Sequence, residues 1–353
     1  MRMKKRIALV VLGLALALAP ALDGSAIQAQ EATPEQKVRR VGDQVVISSR
    51  ATDDDLQVLT TMRGVKKVSL SRSLNDTNGF DAGEKSRVRF SNAGLKVLSG
   101  LSDLEELQLL DAHINDEALA HFKGLSHLRE LWLDGNSDIT DDGLSQLSGL
   151  KQLRVLRLYR ARVSDAGLAH LRDLRELEDL QLGDTRIADA GLAVIAGFPR
   201  LKTLDLQGTL ITDTGLSHLQ SLRNMEWLCL NHTHVTGAGL RPLRDLTKMR
   251  FFYADFSQVD DNGLRFLSKW SALDSLYLTS TPITDAGVAS ISQLRALTNL
   301  HLNATATTDR GLNNLQGLSH LRYLELFQTH TTAKGIVRLK TTLPQLEVRL
   351  SRY

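Results

Sequence analysis

Few side chains in this sequence have the type and spacing to do chemistry. Cys229 is the only cysteine, and His301 stands at the equivalent place three repeats later, which suggests a thiol nucleophile and an imidazole base. Strands about 4.8 Å apart put roughly 14 Å between the two, while a working dyad needs about 3 Å. His232, three residues along an extended segment, is also out of reach, so Cys229 reads as a structural thiol. Glu106 and Glu130 are equivalent neighbours whose carboxyls would approach the spacing of a retaining glycosidase pair, about 5 Å. A shallow sheet offers no walls to desolvate one of them and raise its pKa. His232 and His234 supply two imidazoles, but alternation sends them to opposite sides and no third ligand follows. A recurring aspartate could collect calcium, yet its loss at Gly237 and Ala333 fits a helix-end preference better than a metal array. There is no phosphate-cradling glycine loop and no G-x-S-x-G elbow. The sequence therefore predicts no enzyme, no metal site and no cofactor.

The elements that would position any site come from repetition. "PITDAGVASISQLRALTNLHLN", residues 282–303, returns along the chain in near copies. An L-x-x-L-x-L core ends at Leu109, Leu133, Leu158, Leu182, Leu206, Leu230, Ala254, Leu278, Leu302, Leu326 and Leu350, at 24-residue steps except one of 25 where Asn136-Ser137-Asp138 adds a residue. Two degenerate copies end near Ile47 and Leu70, for about thirteen coils. A period of this size signals a solenoid.

Within a copy, Leu180 and Leu182 alternate with polar residues, as in a short strand with one buried face. Three residues after each core comes a hydroxyl (Thr185, Thr209, Thr233, Ser257, Thr281, Thr305, Thr329), suited to satisfy backbone groups inside the turn. An inward Ile or Val follows, then a Thr or Ser suited to cap a helix, an aspartate at the helix's positive end, and a glycine two residues on. Glycine inside a helix costs about 1 kcal/mol relative to alanine, so its recurrence implies a close backbone approach. Leucines at every third place, such as Leu168, Leu171 and Leu174, line the inner face of a short helix. A lone coil buries too little to offset the ordering of its backbone, so only stacking stabilises it.

The pattern resembles the leucine-rich repeat family, in the 24-residue LxxLxLxxTxITDxGLxxL subclass similar to the ribonuclease-inhibitor-like and cysteine-containing repeats, and in a secreted bacterial type. The resemblance covers the chain after its N-terminal segment. It implies an α/β fold: a right-handed horseshoe solenoid, with a parallel β-sheet on the concave face and short helices on the convex face. It also implies a binding scaffold for a protein or peptide.

With the leucines inward, the residues between them line the sheet face. Trp132, Tyr159, Trp227, Phe251, Tyr253, Tyr277, His301, Tyr323 and Phe327 fall there, most of them across five consecutive coils, and read as a recognition surface. Glu106, Glu130, Asp134, Asp179 and Asp205, against Arg157, make the N-terminal half of that face acidic. A partner with basic and apolar segments would complement both halves. The alternative function is a cell-envelope carbohydrate-binding protein that stacks sugars on the same aromatics.

The chain opens with MRMKKR and an uncharged apolar run, Ile7 to Ala19, too short to span a bilayer. It reads as a signal peptide over 1–29, cleaved after Ala21 or Ala29, and predicts export to the periplasm, envelope or medium with no membrane span afterwards. Of the 43 Lys and Arg and 40 Asp and Glu, Arg2, Lys4, Lys5, Arg6 and Asp23 lie in that segment, so the remainder is neutral and nothing favours nucleic acid. The predicted layout is a linker or cap over 30–44, the solenoid over 45–340 with a polar insertion at 71–87, and a C-terminal strand or cap over 341–353. With one cysteine, no internal disulfide can hold the fold.

Overall fold

The computed structural model describes residues 37–71 and 88–351; residues 1–36, which include the expected signal peptide, residues 72–87 of the insertion and residues 352–353 lie outside them. Among the described residues, fourteen strands form one sheet in chain order. They are β1 (Val38–Val41), β2 (Gln44–Ser48), β3 (Lys67–Ser71), β4 (Glu106–Gln108), β5 (Glu130–Trp132), β6 (Val155–Arg157), β7 (Asp179–Gln181), β8 (Thr203–Asp205), β9 (Trp227–Cys229), β10 (Phe251–Tyr253), β11 (Ser275–Tyr277), β12 (Asn299–His301), β13 (Tyr323–Glu325) and β14 (Glu347–Arg349). From β2 onward every pair is parallel, and equivalent residues stand side by side, as in Leu204, Leu228, Phe252 and Leu276. This is the leucine-rich-repeat solenoid, with one departure from the fully parallel expectation. β1 runs antiparallel to β2 through a turn at Gly42 (φ +64°), and it covers the first coil with Val38.

The inward leucines form one continuous core in which almost every member has no solvent exposure. Opposite the strands the chain makes turns of α- and 3-10 helix, such as Asp165–Ala169 and Gly237–Asp245. Leucines at every third place suit the three-residue turn of a 3-10 helix, which explains why that form is frequent here.

Hydroxyls close seven of the turns as expected, while Ala112 and Ala161 stand at the equivalent place in two others. Thr185, Thr209, Thr233, Ser257, Thr281, Thr305 and Thr329 donate to the carbonyl three residues earlier over 2.6–2.9 Å. Where the repeat is one residue longer, Asn136 takes this role. Fully buried, it donates to the carbonyls of Leu109 and Leu133 and accepts from the Ile114 N–H, thereby joining two coils.

The aspartate column does more than sit at a helix end. Asp213 Oδ1 accepts the Thr236 N–H at 2.7 Å and Oδ2 accepts the Thr236 hydroxyl at 2.5 Å, one coil on. The same two bonds recur at Asp116–Thr140, Asp141–Ser164, Asp189–Thr212, Asp261–Thr284, Asp285–Thr308 and Asp309–Thr332. The glycine of the next coil makes room for the clamp, since a Cβ on Gly239 would collide with Asp213 Oδ1. Three coils depart from the capping expectation, one of them by using the Asn115 amide oxygen in place of a hydroxyl. Ala188 provides no side-chain cap, and its N–H alone reaches Asp165. At Gly237 the aspartate is missing, and the next cap is Asp260 in place of a hydroxyl; a Cβ at 237 would strike the Asp260 carboxylate. The two changes compensate, because two facing carboxylates would repel.

Asp213→Ala leaves the Thr236 N–H and hydroxyl unmet and should cost about 1.5–3 kcal/mol in urea unfolding. An unchanged midpoint would remove the clamp from the stability account. Bonds from the Thr332 hydroxyl and N–H also hold the Asp309 carboxyl below its ordinary value. A carboxyl lowered by folding adds stability above its unfolded pKa, and that stability is lost as pH falls through the folded value. Thr332→Val should therefore raise the Asp309 pKa in an NMR titration and flatten the acid-side loss of stability.

Candidate functional site

The parallel register decides the geometry of the sheet face. Tyr253, Tyr277 and His301 are the last residues of adjacent strands, and a strand spacing of about 4.8 Å is close to the separation at which rings stack. Tyr253 and Tyr277 stack at 4.4 Å between centroids, Tyr277 and His301 meet at 3.9 Å, and Trp227 leans on Tyr253 at 5.2 Å. His301 Nδ1 lies 3.1 Å from Glu325 Oε2, which also accepts from Asn303 Nδ2 at 2.7 Å. The result is an unbroken ladder, Trp227–Tyr253–Tyr277–His301–Glu325. Burial lowers the His301 pKa, against the opposing pull of Glu325. Burial also raises the phenols of Tyr253 and Tyr277.

The remaining aromatics lie outside that ladder. Phe251 flanks it beneath the Arg250 guanidinium, 5.2 Å away. Tyr323, 46% exposed, and half-buried Phe327 lie on either side of Glu325 in β13 and the residues just after it. Trp132 and Tyr159 belong to a second group around β5 and β6: Arg157 lies 4.8 Å over Trp132, and Arg160 lies 5.0 Å over Tyr159. The nine aromatic and imidazole side chains therefore share one face but not one contact.

The acidic stretch is partly neutralised by bonds that strand patterning does not reveal. Lys67 pairs with Glu106 at 2.9 Å and interacts with Glu130, and Arg157 pairs with Asp134 at 2.7 Å. Asp179 accepts from Gln181 Nε2 at 2.6 Å and Asp205 from the Gln207 N–H at 2.9 Å. Burial raises the carboxyls of Asp134, Asp179, Asp205 and, further along, Asp255.

Cys229 faces away from the leucine core yet is only 4% exposed, between Asp205 and Tyr253 in register. Burial, then Asp205, push its thiol well above the ordinary range, the opposite of an activated nucleophile. His301 is three strands away. His232 is turned onto the rim at φ 54° and stacks on Phe256 at 4.4 Å, while His234 is exposed. No group of three metal-ligating side chains occurs among the described residues.

The His232–Phe256 pair is absent from the sequence reading. Both residues occupy the left-handed turn that follows each strand, a place also taken by Gly135, Arg160, Asp184, Gly208, Ser280, Ala304 and Gln328. Bulky residues rarely adopt that conformation. Glycine would have marked the turn in the sequence, but most copies lack it. Phe256 remains 43% exposed there.

Residues 124–148 match the family model described as a leucine-rich repeat. An internalin (inlF) from Listeria monocytogenes is similar in structure, with a TM-score of 0.68 at 19% identity over 88% of this chain and 87% of that one. The TDR receptor is similar at a TM-score of 0.55 and 17% identity, over 85% of this chain and 50% of the receptor. The sequence matches no curated protein. These likenesses establish the fold. No helix among the described residues is long and apolar enough to cross a membrane.

A buried, high-pKa thiol should not react with a disulfide reagent at pH 8 in the native protein and should react fully in denaturant. Rapid native labelling of Cys229 would contradict its placement under Asp205 and Tyr253.

Proposed function

We propose that the chain is a non-enzymatic scaffold that acts outside the cytoplasm and recognises a protein or peptide on its sheet face. The ladder from Trp227 to Glu325 carries this reading. Four ring systems held in mutual contact are pre-ordered, so a partner meets large amphipathic surfaces at little entropic cost. The leucine-rich repeat fold, whose sequence variation is free on this face, points the same way. The basic opening MRMKKR with its short apolar run supports export.

The arrangement of the rings counts against the carbohydrate alternative. A sugar stacks on an open ring face, but in the ladder Tyr277 is covered on both sides and Tyr253 lies between Trp227 and Tyr277. The ladder therefore offers ring edges rather than open faces. Such groups suit the mixed polar and apolar surface of a polypeptide.

Trp227→Ala with Tyr253→Ala should abolish capture of a partner from the native envelope and leave the thermal midpoint within about 2–4 °C, since stacking adds only ~1 kcal/mol. Phe252→Ala, one residue away in the core, should instead lose about 3–5 kcal/mol of stability. Undiminished capture by the folded double variant would refute this reading.

A further inference from the structure

At the N-terminal end of the ladder, aromatic and acidic side chains meet around a sealed floor. Cys229 sits between Asp205 of β8 and Tyr253 of β10, and it interacts with Asp255, two residues beyond Tyr253. Asp205, Asp255, Trp227 and Tyr253 are all partly exposed around it. Trp227 ends the ladder, with Tyr253 as its single ring partner among the described residues. Neither Asp205 nor Asp255 forms an ion pair among the described residues, in contrast to Asp134 with Arg157 and Glu106 with Lys67. Their own bonds come from backbone N–H groups, Gln207 to Asp205 at 2.9 Å and Thr279 to Asp255 at 2.6 Å, and from the Cys229 thiol to Asp205 and the Thr279 hydroxyl to Asp255.

We propose that Asp205, Asp255, Trp227 and Tyr253 form a seat for one lysine or arginine side chain of the bound polypeptide, an inference that rests on the polypeptide-binding reading above. Neither carboxylate has a cation within ion-pair distance; Arg157 acts on Asp205 and His232 on Asp255 only from farther off, and burial raises both pKa values. The two lie two strands apart and two residues out of register, more than about 10 Å between backbones, so one cation bonds only one of them. A guanidinium or ammonium group on an extended stem bonds one carboxylate and is drawn by the field of the other while it lies within about 6 Å of the Trp227 ring. The stem then rests along the ladder, and the polypeptide continues over Tyr277 toward His301. A neutral or acidic side chain at this position would leave the carboxylates unpaired or face them with like charge.

The test is selection of random peptides displayed against the folded chain. Wild type should enrich peptides with lysine or arginine at one position. Replacing that residue by glutamine in a selected peptide should weaken binding about tenfold. Against Asp205→Asn with Asp255→Asn, the same replacement should change binding less than about twofold. Asparagine keeps the oxygen that each backbone N–H needs, so this variant should fold, as an unchanged thermal midpoint would verify. Peptides that bind through Trp227 and Tyr253 without basic enrichment, or with a basic residue indifferent to the double variant, would overturn the seat and leave the polypeptide-binding reading standing. If no peptide is selected, or if selected peptides are indifferent to Trp227→Ala with Tyr253→Ala, both readings fall.

Discussion

Register between coils is the constraint on which the rest of this structure depends. Each coil must place its strand, turn and helix beside the same parts of the next, because a lone coil cannot bury its leucines. The leucine core supplies attraction, but it is non-directional and would tolerate sliding. Direction comes from the aspartate clamp: a carboxylate of one coil holds the backbone N–H and hydroxyl of the next, as Asp189 holds Thr212. The following glycine leaves space for it. Aspartate, hydroxyl and glycine are therefore one device divided between two coils.

The exceptions follow the same logic. Gly237 and Asp260 exchange roles and so avoid setting one carboxylate against another. The extra residue near Asn136 would leave the turn without its hydroxyl, and a buried amide with one acceptor and two donors bridges the gap. Variation is tolerated where a different side chain meets the same backbone demand.

Strict register also shapes the surface. Residues at equivalent places are brought one strand spacing apart, so aromatic side chains in successive coils have little choice but to stack. Tyr253, Tyr277 and His301 obey this, and Trp227 and Glu325 close the two ends. A row of rings ordered by its own contacts has little side-chain entropy left to lose. Cys229, small and sealed, sits in register between Asp205 and Tyr253 beneath this row.

The fold was legible in the sequence because a 24-residue period writes the same instruction many times. Alternating leucines name the strand, the hydroxyl names the turn, and the placing of Trp227, Tyr253, Tyr277 and His301 on a common face follows from alternation alone. Contacts between coils could not be read this way. The partner of an aspartate lies 23 residues on, the pairing of Lys67 with Glu106 crosses an insertion, and His232 meets Phe256 only because both adopt an uncommon backbone conformation without glycine to announce it. Periodicity reports which way a side chain points, since that depends on its own strand. Which neighbour it touches, and whether burial leaves it charged, is set by the coil beside it, and only the assembled stack decides that.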